Sequence, residues 1–237
     1  MRNGLPDRIR AVLFDVDGTL YAQTPLRMAM AVEMAVAAAS PVRARRQALS
    51  RVLAFRKLRE RLRSEAGSHE PLASRQYRVV SEHLGCSEAE VVSAVDEWIY
   101  RRPTKWLRYC RRPGIAELLD YLRGRRIACG VFSDYPADDK LAALGIRDRF
   151  ELVLSAVDPD IGAFKPDPRG FVEAARKWNM PASDVLYVGD RADVDAAGAL
   201  AAGMPCAVLT AGQPRAGEEF IAVRDFKELQ RVLSRSH

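Results

Sequence analysis

Two aspartates directly follow a short apolar segment near the start of the chain. The sequence FDVDGTLY covers residues 14–21 and places Asp15 and Asp17 one residue apart, after the apolar residues 11–13. Two carboxylates held this close repel each other unless a cation or a shared proton offsets the repulsion. The pair therefore indicates a site that holds a cation or a proton at the end of a buried strand.

Further side chains that could do chemistry follow apolar segments later in the chain. Ser133 and Asp134 follow GVF, Asp190 follows LYVG, and Lys165 lies in the loop GAFKPDP that precedes a predicted helix. If these segments are parallel strands, their carboxyl ends meet at one edge of the sheet, where ligands bind in such folds. We therefore expect the carboxylates, the hydroxyl and the lysine to converge there.

The residue types at this edge favour one metal and one reaction. Asp15, Asp17, Asp190 and Asp195 offer hard oxygen ligands, which suit Mg²⁺ better than zinc. Magnesium commonly combines one or two protein carboxylates with phosphate oxygens, so a phosphorylated substrate is expected. A lysine and a hydroxyl would hold the remaining phosphate oxygens. One carboxylate could then attack phosphorus and form an aspartyl-phosphate, while its neighbour acts as acid and then as base.

The elements that must position these residues alternate from about Pro113 onward. Strands are predicted at 127–132, 150–155, 184–189 and 206–210, and helices at 113–124, up to about 144, from about 168, and at 192–202. This alternation predicts a parallel sheet with helices on both faces. The strand at 206–210 is the last element in this prediction.

The stretch between the first two strands has a different pattern. Residues 25–101 show helical spacing of apolar residues throughout. Ser133 and Lys165 are 32 residues apart, near the length of one repeat, whereas Asp15 and Ser133 are 118 apart, which leaves roughly 85 surplus residues. We therefore predict a helical domain at 22–104 that covers the strand ends, inserted into a core domain formed by 1–21 and 105–237.

Together the motifs resemble those of the haloacid dehalogenase superfamily, in its phosphatases with a helical cap after the first strand. The matching segments are DVDGT at 15–19, Ser133, Lys165 in GAFKPDP, and GDRADVD at 189–195. The resemblance implies an α/β fold, with a Rossmann-like doubly wound parallel sheet as core and an inserted all-α cap. Dehalogenases of this superfamily generally lack a carboxylate at the position of Asp17, so its presence favours phosphoryl transfer.

The resemblance also implies a role for each motif residue. Asp15 would be the nucleophile and a metal ligand, and Asp17 the acid and base, which also gives its carbonyl oxygen to Mg²⁺. Asp190 would complete the metal ligands, and Asp195 would orient a metal-bound water. Ser133 and Lys165 would be catalytic, and the substrate phosphate would contact Asp15, Gly18, Thr19, Ser133, Asp134 and Lys165.

Two residues depart from the superfamily pattern. Asp134 stands where many relatives have Asn, and Arg191 where many have Ser or Thr. A carboxylate beside a phosphate is unfavourable, so we expect Asp134 to contribute its backbone N–H and to point its side chain away. Arg191 either contacts the substrate or pairs with Asp193, which lies off the superfamily spacing and is expected to face solvent.

These patterns predict a Mg²⁺-dependent phosphatase of a small phosphorylated metabolite, such as a sugar phosphate, a nucleotide or a phosphoglycolate-like acid. A phosphomutase with the same phospho-enzyme, and a non-catalytic sensor or scaffold that binds a phosphorylated ligand, are the alternatives. We expect a monomer or a homodimer.

The composition is that of an ordinary globular chain of 237 residues, with 48% hydrophobic and 29% charged residues. Absence of a long apolar run predicts a cytoplasmic protein without a membrane partner. The four cysteines are far apart and are expected to be free thiols: Cys86, Cys110, Cys129 and Cys206.

The net charge of +6 comes largely from a basic run at 43–63. Its helical spacing predicts the solvated face of an amphipathic helix. Attraction of polyanionic substrates is a second hypothesis for this run, and nucleic-acid binding is not expected because no known module accompanies it.

Overall fold

The computed structural model describes residues 9–64, 70–210, 212 and 219–235. Within these residues the strands form one sheet in the order β3-β2-β1-β4-β5-β6, and every pair is parallel. The strands are β1 Ala11–Phe14, β2 Ala128–Ser133, β3 Leu152–Ser155, β4 Val185–Gly189, β5 Cys206–Leu209 and β6 Ile221–Val223. Strands β1, β4 and β5 are buried along their whole length, as expected of a parallel sheet covered on both faces.

Alternate residues of β1 pack into different parts of the core. Val12 and Phe14 belong to one hydrophobic cluster, whereas Ala11 and Leu13 belong to the other. The helices that flank the sheet are α6 Ile115–Gly124, α7 Asp138–Ala143, α8 Arg169–Lys177, α9 Ala197–Ala201, which continues a π-helical turn at Ala192–Ala196, and α10 Phe226–Arg235. The predicted doubly wound α/β core is therefore confirmed.

The elements that the structure describes between β1 and α6 are helices, as predicted. They comprise α1 Gln23–Ala39, α2 Arg43–Ser64, α3 Leu72–Leu84, α4 Glu88–Val95, a π-helical segment Asp96–Arg101, and α5 Arg102–Cys110. A capping box of Ser87 and Glu90 begins α4. We call residues 23–110 the helical insert; the domain boundaries at 22 and 104 stay a prediction.

The chain enters and leaves the helical insert along two neighbouring segments. Tyr21 and Arg111 form an antiparallel bridge. The N–H of Ala22 donates to the carbonyl of Cys110 at 2.9 Å, and the N–H of Arg112 donates to that of Leu20 at 3.0 Å. The two crossings are thus joined in a short two-stranded ribbon.

The sequence prediction was wrong about the end of the sheet. Beyond β5 the structure adds β6 and α10. Three residues are too few for an alternating pattern, which explains the missed strand. Helix α10 buries Phe226, Leu229 and Leu233 at helical spacing, a signal that could have been used.

Two expectations from composition can be compared with the structure. All four cysteines are free, and Cys110, Cys129 and Cys206 are buried, as predicted. None of the described helices combines the length and apolar character needed to cross a bilayer.

Candidate functional site

The strand ends bring most of the predicted residues together at one edge of the sheet. Asp15 immediately follows β1, and its N–H donates to the carbonyl of Val188 in β4 at 2.8 Å. Ser133 is the last residue of β2, and Asp190 follows the last residue of β4. Since β1 lies between β2 and β4, Asp15 occupies the middle of this edge.

The ammonium of Lys165 lies at the centre of a buried network. Its Nζ is 2.6 Å from Asp15 Oδ1, 2.7 Å from Asp195 Oδ1 and 3.0 Å from the hydroxyl of Tyr187. Burial lowers the pKa of Lys165, but the carboxylates of Asp15 and Asp195 outweigh burial and raise the pKa well above its usual value. Lys165 is therefore a fixed positive charge between two carboxylates.

Three carboxylates are close enough to share one cation. One oxygen each from Asp15, Asp190 and Asp195 lies within 4.8 Å of the others. Burial raises the pKa of Asp15 to about 8; Lys165 opposes this shift, and the neighbouring carboxylates add to it. Burial, followed by the charge of Asp195, also raises the pKa of Asp190 to about 6. A divalent cation here would lower both pKa values, so the donor set fits Mg²⁺.

Both carboxylate oxygens of Asp195 accept hydrogen bonds. Oδ1 accepts from Lys165 and from the Tyr187 hydroxyl, the latter at 3.2 Å. Oδ2 accepts from the N–H groups of Asp190 and Arg191, each at 3.1 Å. Asp195 therefore shapes the loop that carries Asp190 and orients Lys165; its predicted role towards a metal-bound water stays a prediction.

Asp17 is not part of the cluster of three carboxylates and pairs with a lysine that the sequence analysis missed. Lys140 Nζ lies 2.5 and 2.7 Å from its two carboxylate oxygens, and Tyr21 donates a hydrogen bond to one of them. Burial raises the pKa of Asp17, but the Lys140 ammonium, aided by Tyr21, outweighs burial and holds the pKa below its usual value. Its backbone carbonyl accepts from Gln23 Nε2 at 2.6 Å.

Gly18 lies close to the carboxylate of Asp190, and Thr19 hydrogen-bonds to that of Asp15. Gly18 has φ of +105°, and a Cβ at this position would lie 2.1 Å from Asp190 Oδ2. Only glycine allows this turn and this close approach. The hydroxyl of Thr19, which is buried, donates to Asp15 Oδ2 at 2.9 Å. Thr19 thus orients Asp15, and direct contact of either residue with phosphate stays a prediction.

The residues after β2 are arranged around the Lys165 loop. Ser133 is fully buried, and its Oγ accepts from the N–H of Tyr135 at 3.2 Å. Asp134 Oδ1 accepts from the backbone N–H of Lys165 at 3.1 Å. The side chain of Asp134 is therefore engaged by a protein group, and the expectation that it points away from phosphate stays a prediction.

Comparison with known proteins agrees with the geometry. A family model described as haloacid dehalogenase-like hydrolase matches residues 9–203. The chain belongs to this family. The glyceraldehyde 3-phosphate phosphatase of Methanopyrus kandleri is 34% identical to this hydrolase over 205 residues, which cover 83% of this chain and 82% of that protein. The resemblance to this superfamily drawn from the sequence motifs is confirmed.

Two solved structures resemble this hydrolase over nearly its whole length. A 2-haloacid dehalogenase from Pseudomonas syringae has a TM-score of 0.66 at 27% identity, covering 97% of this chain and 100% of that one. A HAD phosphatase from Thermococcus onnurineus has a TM-score of 0.64 at 21% identity, covering 95% and 98%. The second similarity supports the fold alone.

A cavity of about 570 Å³ lies between the strand ends and the helical insert of this hydrolase. Asp15, Asp17, Asp134, Lys165, Asp190 and Asp195 line its core side. The insert contributes mainly apolar side chains together with a few charged ones: Leu26, Met30, Ala31, Met34, Ile99, Pro103, Leu107, Arg27, Arg56, Glu60 and Arg63. Ser133, Gly18 and Thr19 are not among the residues that line it.

Arg191, which departs from the family pattern, pairs with a neighbouring side chain. Arg191 Nη2 lies 2.8 Å from Asp193 Oδ2, which is the second of the two alternatives for Arg191, and the predicted exposure of Asp193 is confirmed at 70%. Arg191 also lines the cavity, so its contact with the substrate stays a prediction.

The prediction of a solvated face was wrong at three residues of the basic run: Arg59 is 4% exposed and packs against Tyr135 and Phe164, and the side chains of Arg51 and Arg63 are only 13% and 15% exposed. Most of the run, including Arg46 and Lys57, is exposed as expected.

Proposed function

We propose that this hydrolase is a Mg²⁺-dependent phosphatase of a small phosphorylated metabolite, acting through an aspartyl-phosphate on Asp15. The arrangement of Asp15 supports this proposal. Its carboxylate lines the cavity, lies 2.6 Å from the Lys165 ammonium, and shares a cluster with Asp190 and Asp195. A carboxylate beside a fixed positive charge, with room for a ligand, suits nucleophilic attack on a dianionic phosphate.

In the first step, an oxygen of Asp15 forms a bond to phosphorus and the ester P–O bond breaks. The departing oxygen needs a proton, which Asp17 supplies from the side of the cavity that Lys140 and Tyr21 occupy. Lys165 stabilises the negative charge that develops on the phosphoryl oxygens. This step requires a protonated Asp17, so substrate binding must weaken its pairing with Lys140.

In the second step, Asp17 takes a proton from water as the water oxygen bonds to phosphorus. The acyl-phosphate P–O bond then breaks, which regenerates the Asp15 carboxylate and releases inorganic phosphate. The lowered pKa of Asp17 suits this role as base, because the ammonium of Lys140 stabilises its ionised form. The same side chain thus completes both proton transfers.

We assign the metal to Asp15, Asp190 and the backbone carbonyl of Asp17, with Asp195 nearby. When bound, Mg²⁺ would offset the carboxylate repulsion and neutralise charge on the phosphoryl oxygens. Gly18 lets the chain pass close to Asp190, and the Thr19 hydrogen bond fixes the second oxygen of Asp15.

The cavity supports a small organic phosphate as substrate. Its volume suits a ligand of metabolite size, and its insert side offers an apolar wall with Arg27 and Arg56. The relative from Methanopyrus kandleri is named for glyceraldehyde 3-phosphate. We therefore place triose phosphates first among the candidate substrates, ahead of hexose phosphates, nucleotides and phosphoglycolate.

The test is phosphate release by the purified protein from a panel of these compounds, with Mg²⁺ and with chelator. We expect Mg²⁺-dependent turnover of at least one of them and trapping of a phosphorylated Asp15 during turnover. A 2-haloacid serves as the opposing substrate, because one related structure is a 2-haloacid dehalogenase. Halide release without phosphate release would refute the proposal.

A further inference from the structure

The carboxylate of Asp134 adds a negative charge to a cavity wall already rich in carboxylates. Its side chain is 13% exposed and lines the cavity with Asp15, Asp17 and Asp190. An uncompensated charge at this position would repel a phosphate dianion bound against Lys165. The surroundings of Asp134 therefore bear directly on how the cavity accepts an anion.

Arg63 from the helical insert pairs with Asp134, and its Nε also donates to Glu60 Oε2 of the same helix at 3.1 Å. Its Nη2 lies 2.8 Å from Asp134 Oδ2, while Oδ1 of the same carboxylate accepts from the backbone N–H of Lys165. Arg63 Nη1 also donates to the backbone carbonyl of Lys165. Asp134, Arg63 and the Lys165 backbone thus form a closed ring of hydrogen bonds.

Arg59, one turn earlier on the same face of α2, fixes the neighbouring backbone. Its guanidinium carbon lies 3.5 Å from the ring centroid of Tyr135 and 4.3 Å from that of Phe164. It also donates to the carbonyl of Asp134. A buried guanidinium between two rings, with a hydrogen bond to the chain, holds the helix against both loops.

We propose that Arg63 is a positioning residue, which binds the Asp134 carboxylate and holds its charge away from the phosphate that Lys165 receives. The inference rests on the proposed phosphate site. It explains how this chain tolerates an aspartate beside that site: the compensating charge comes from the helical insert, 71 positions earlier in the sequence. Arg59 donates a hydrogen bond to the backbone carbonyl of Asp134.

The proposal predicts that the effect of Arg63→Gln on phosphate binding depends on whether residue 134 carries a charge. Arg63→Gln exposes the phosphate to the charge of Asp134, so it should weaken phosphate binding. In an Asp134→Asn background the charge is absent, and Arg63→Gln should change the affinity for phosphate only slightly. A residue that merely stabilises the fold, or that contacts phosphate itself, would give equal losses in both backgrounds.

We would measure binding of inorganic phosphate by calorimetry, in the presence of Mg²⁺, for the wild type, the two single variants and the double variant. We expect about a tenfold loss of affinity for Arg63→Gln and less than about threefold between Asp134→Asn and the double variant. Arg46→Gln, which removes one exposed charge from the same helix, is the matched control and should bind as wild type.

Arg63→Lys in both backgrounds completes the set and covers the case in which Arg63→Gln does not fold. It keeps the positive charge, so it should retain most of the affinity with Asp134 present. Equal losses in the two backgrounds, or no loss in either, would overturn the inference.

Phosphate binding without turnover of any ester would refute the proposed function alone, since the cycle of variants could still be measured. Failure of the wild type to bind phosphate would overturn both proposals. Steady-state kinetics adds a second readout: Arg63→Gln should raise KM more than it lowers kcat, because the repulsion acts on bound substrate and transition state alike.

Discussion

The two sides of the cavity differ in how their side chains are held. On the core side, Lys165, Asp15 and Asp195 are buried and fix one another through hydrogen bonds of 2.6 and 2.7 Å. On the insert side, Met30, Met34 and other apolar side chains from α1 and α5 face the cavity without directional partners. The core side can therefore hold reacting atoms in place, whereas the apolar part of the insert side selects by shape and area.

This difference explains how one core can serve many substrates. Electrostatic stabilisation of a transition state requires charges fixed before the reaction, and buried networks supply them. Apolar walls add binding that is similar for substrate and transition state. We therefore expect substitutions on the core side to affect turnover or folding, and substitutions on the insert side to affect affinity.

The largest expected effect comes from Asp15→Asn. An amide is a poor nucleophile, so kcat towards the best phosphate ester should fall by at least about a thousandfold. The fold should persist, because burial already disfavours the charged form of Asp15. Asp193→Asn, the same change at an exposed site, should retain activity. Substantial turnover by the Asp15 variant would remove the central difference between the two sides.

Asp195→Asn tests whether the core network also stabilises the fold. The amide has one acceptor oxygen, so it cannot serve both Lys165 and the N–H groups of Asp190 and Arg191. The free energy of unfolding should fall by about 1–3 kcal/mol, measured by urea denaturation. The exposed Asp148→Asn should change it by less than about 0.5 kcal/mol. Equal changes in the free energy of unfolding for Asp195→Asn and Asp148→Asn would show that the network contributes nothing to stability.

Lys140→Met tests the pairing that sets the protonation of Asp17. Removal of the ammonium leaves burial, which raises the pKa of Asp17. The ionisation that Asp17 contributes to the pH profile should therefore move to higher pH, by about one unit or more. The pH dependence of kcat and of kcat/KM measures this shift in the ionisation of Asp17. Unchanged profiles would assign the ionisation to another group.

Met34→Ala should have the smallest effect and act on affinity. Loss of apolar area on the insert side should raise KM by about three- to tenfold and leave kcat nearly unchanged. Met28→Ala is the control, because Met28 lies on the same helix but is 67% exposed. A fall in kcat with constant KM would place part of the catalytic machinery on the insert side.

The sequence predicted the convergence of the core-side residues because several of them stand beside their own strands. Asp15, Ser133 and Asp190 lie at strand ends, and parallel strands bring their ends together whatever lies between them. The predicted exposure of Asp193 followed from its position off the superfamily spacing. Local patterns were sufficient here, since the sheet supplies the long-range arrangement.

Contacts between remote segments could not be predicted in this way. Lys140 and Asp17 are 123 positions apart, and Arg63 and Lys165 are 102 apart. Nothing in the basic run distinguishes the buried Arg59 from its exposed neighbours, because all are arginines or lysines at helical spacing. Which of them meets the core depends on how α2 lies against the loops after β2 and β3, and one sequence does not encode that in any local pattern.

The ribbon that joins the helical insert to the core has a mechanical consequence. Because both chain crossings are hydrogen-bonded side by side, a rotation of the insert relative to the core would have this ribbon as its hinge. Tyr21 is part of that hinge, and its hydroxyl holds Asp17. A swing that admits a substrate would therefore also turn the ring of Tyr21 and loosen its hold on the proton-carrying carboxylate. Entry of the substrate and release of Asp17 for its first proton transfer would be one movement.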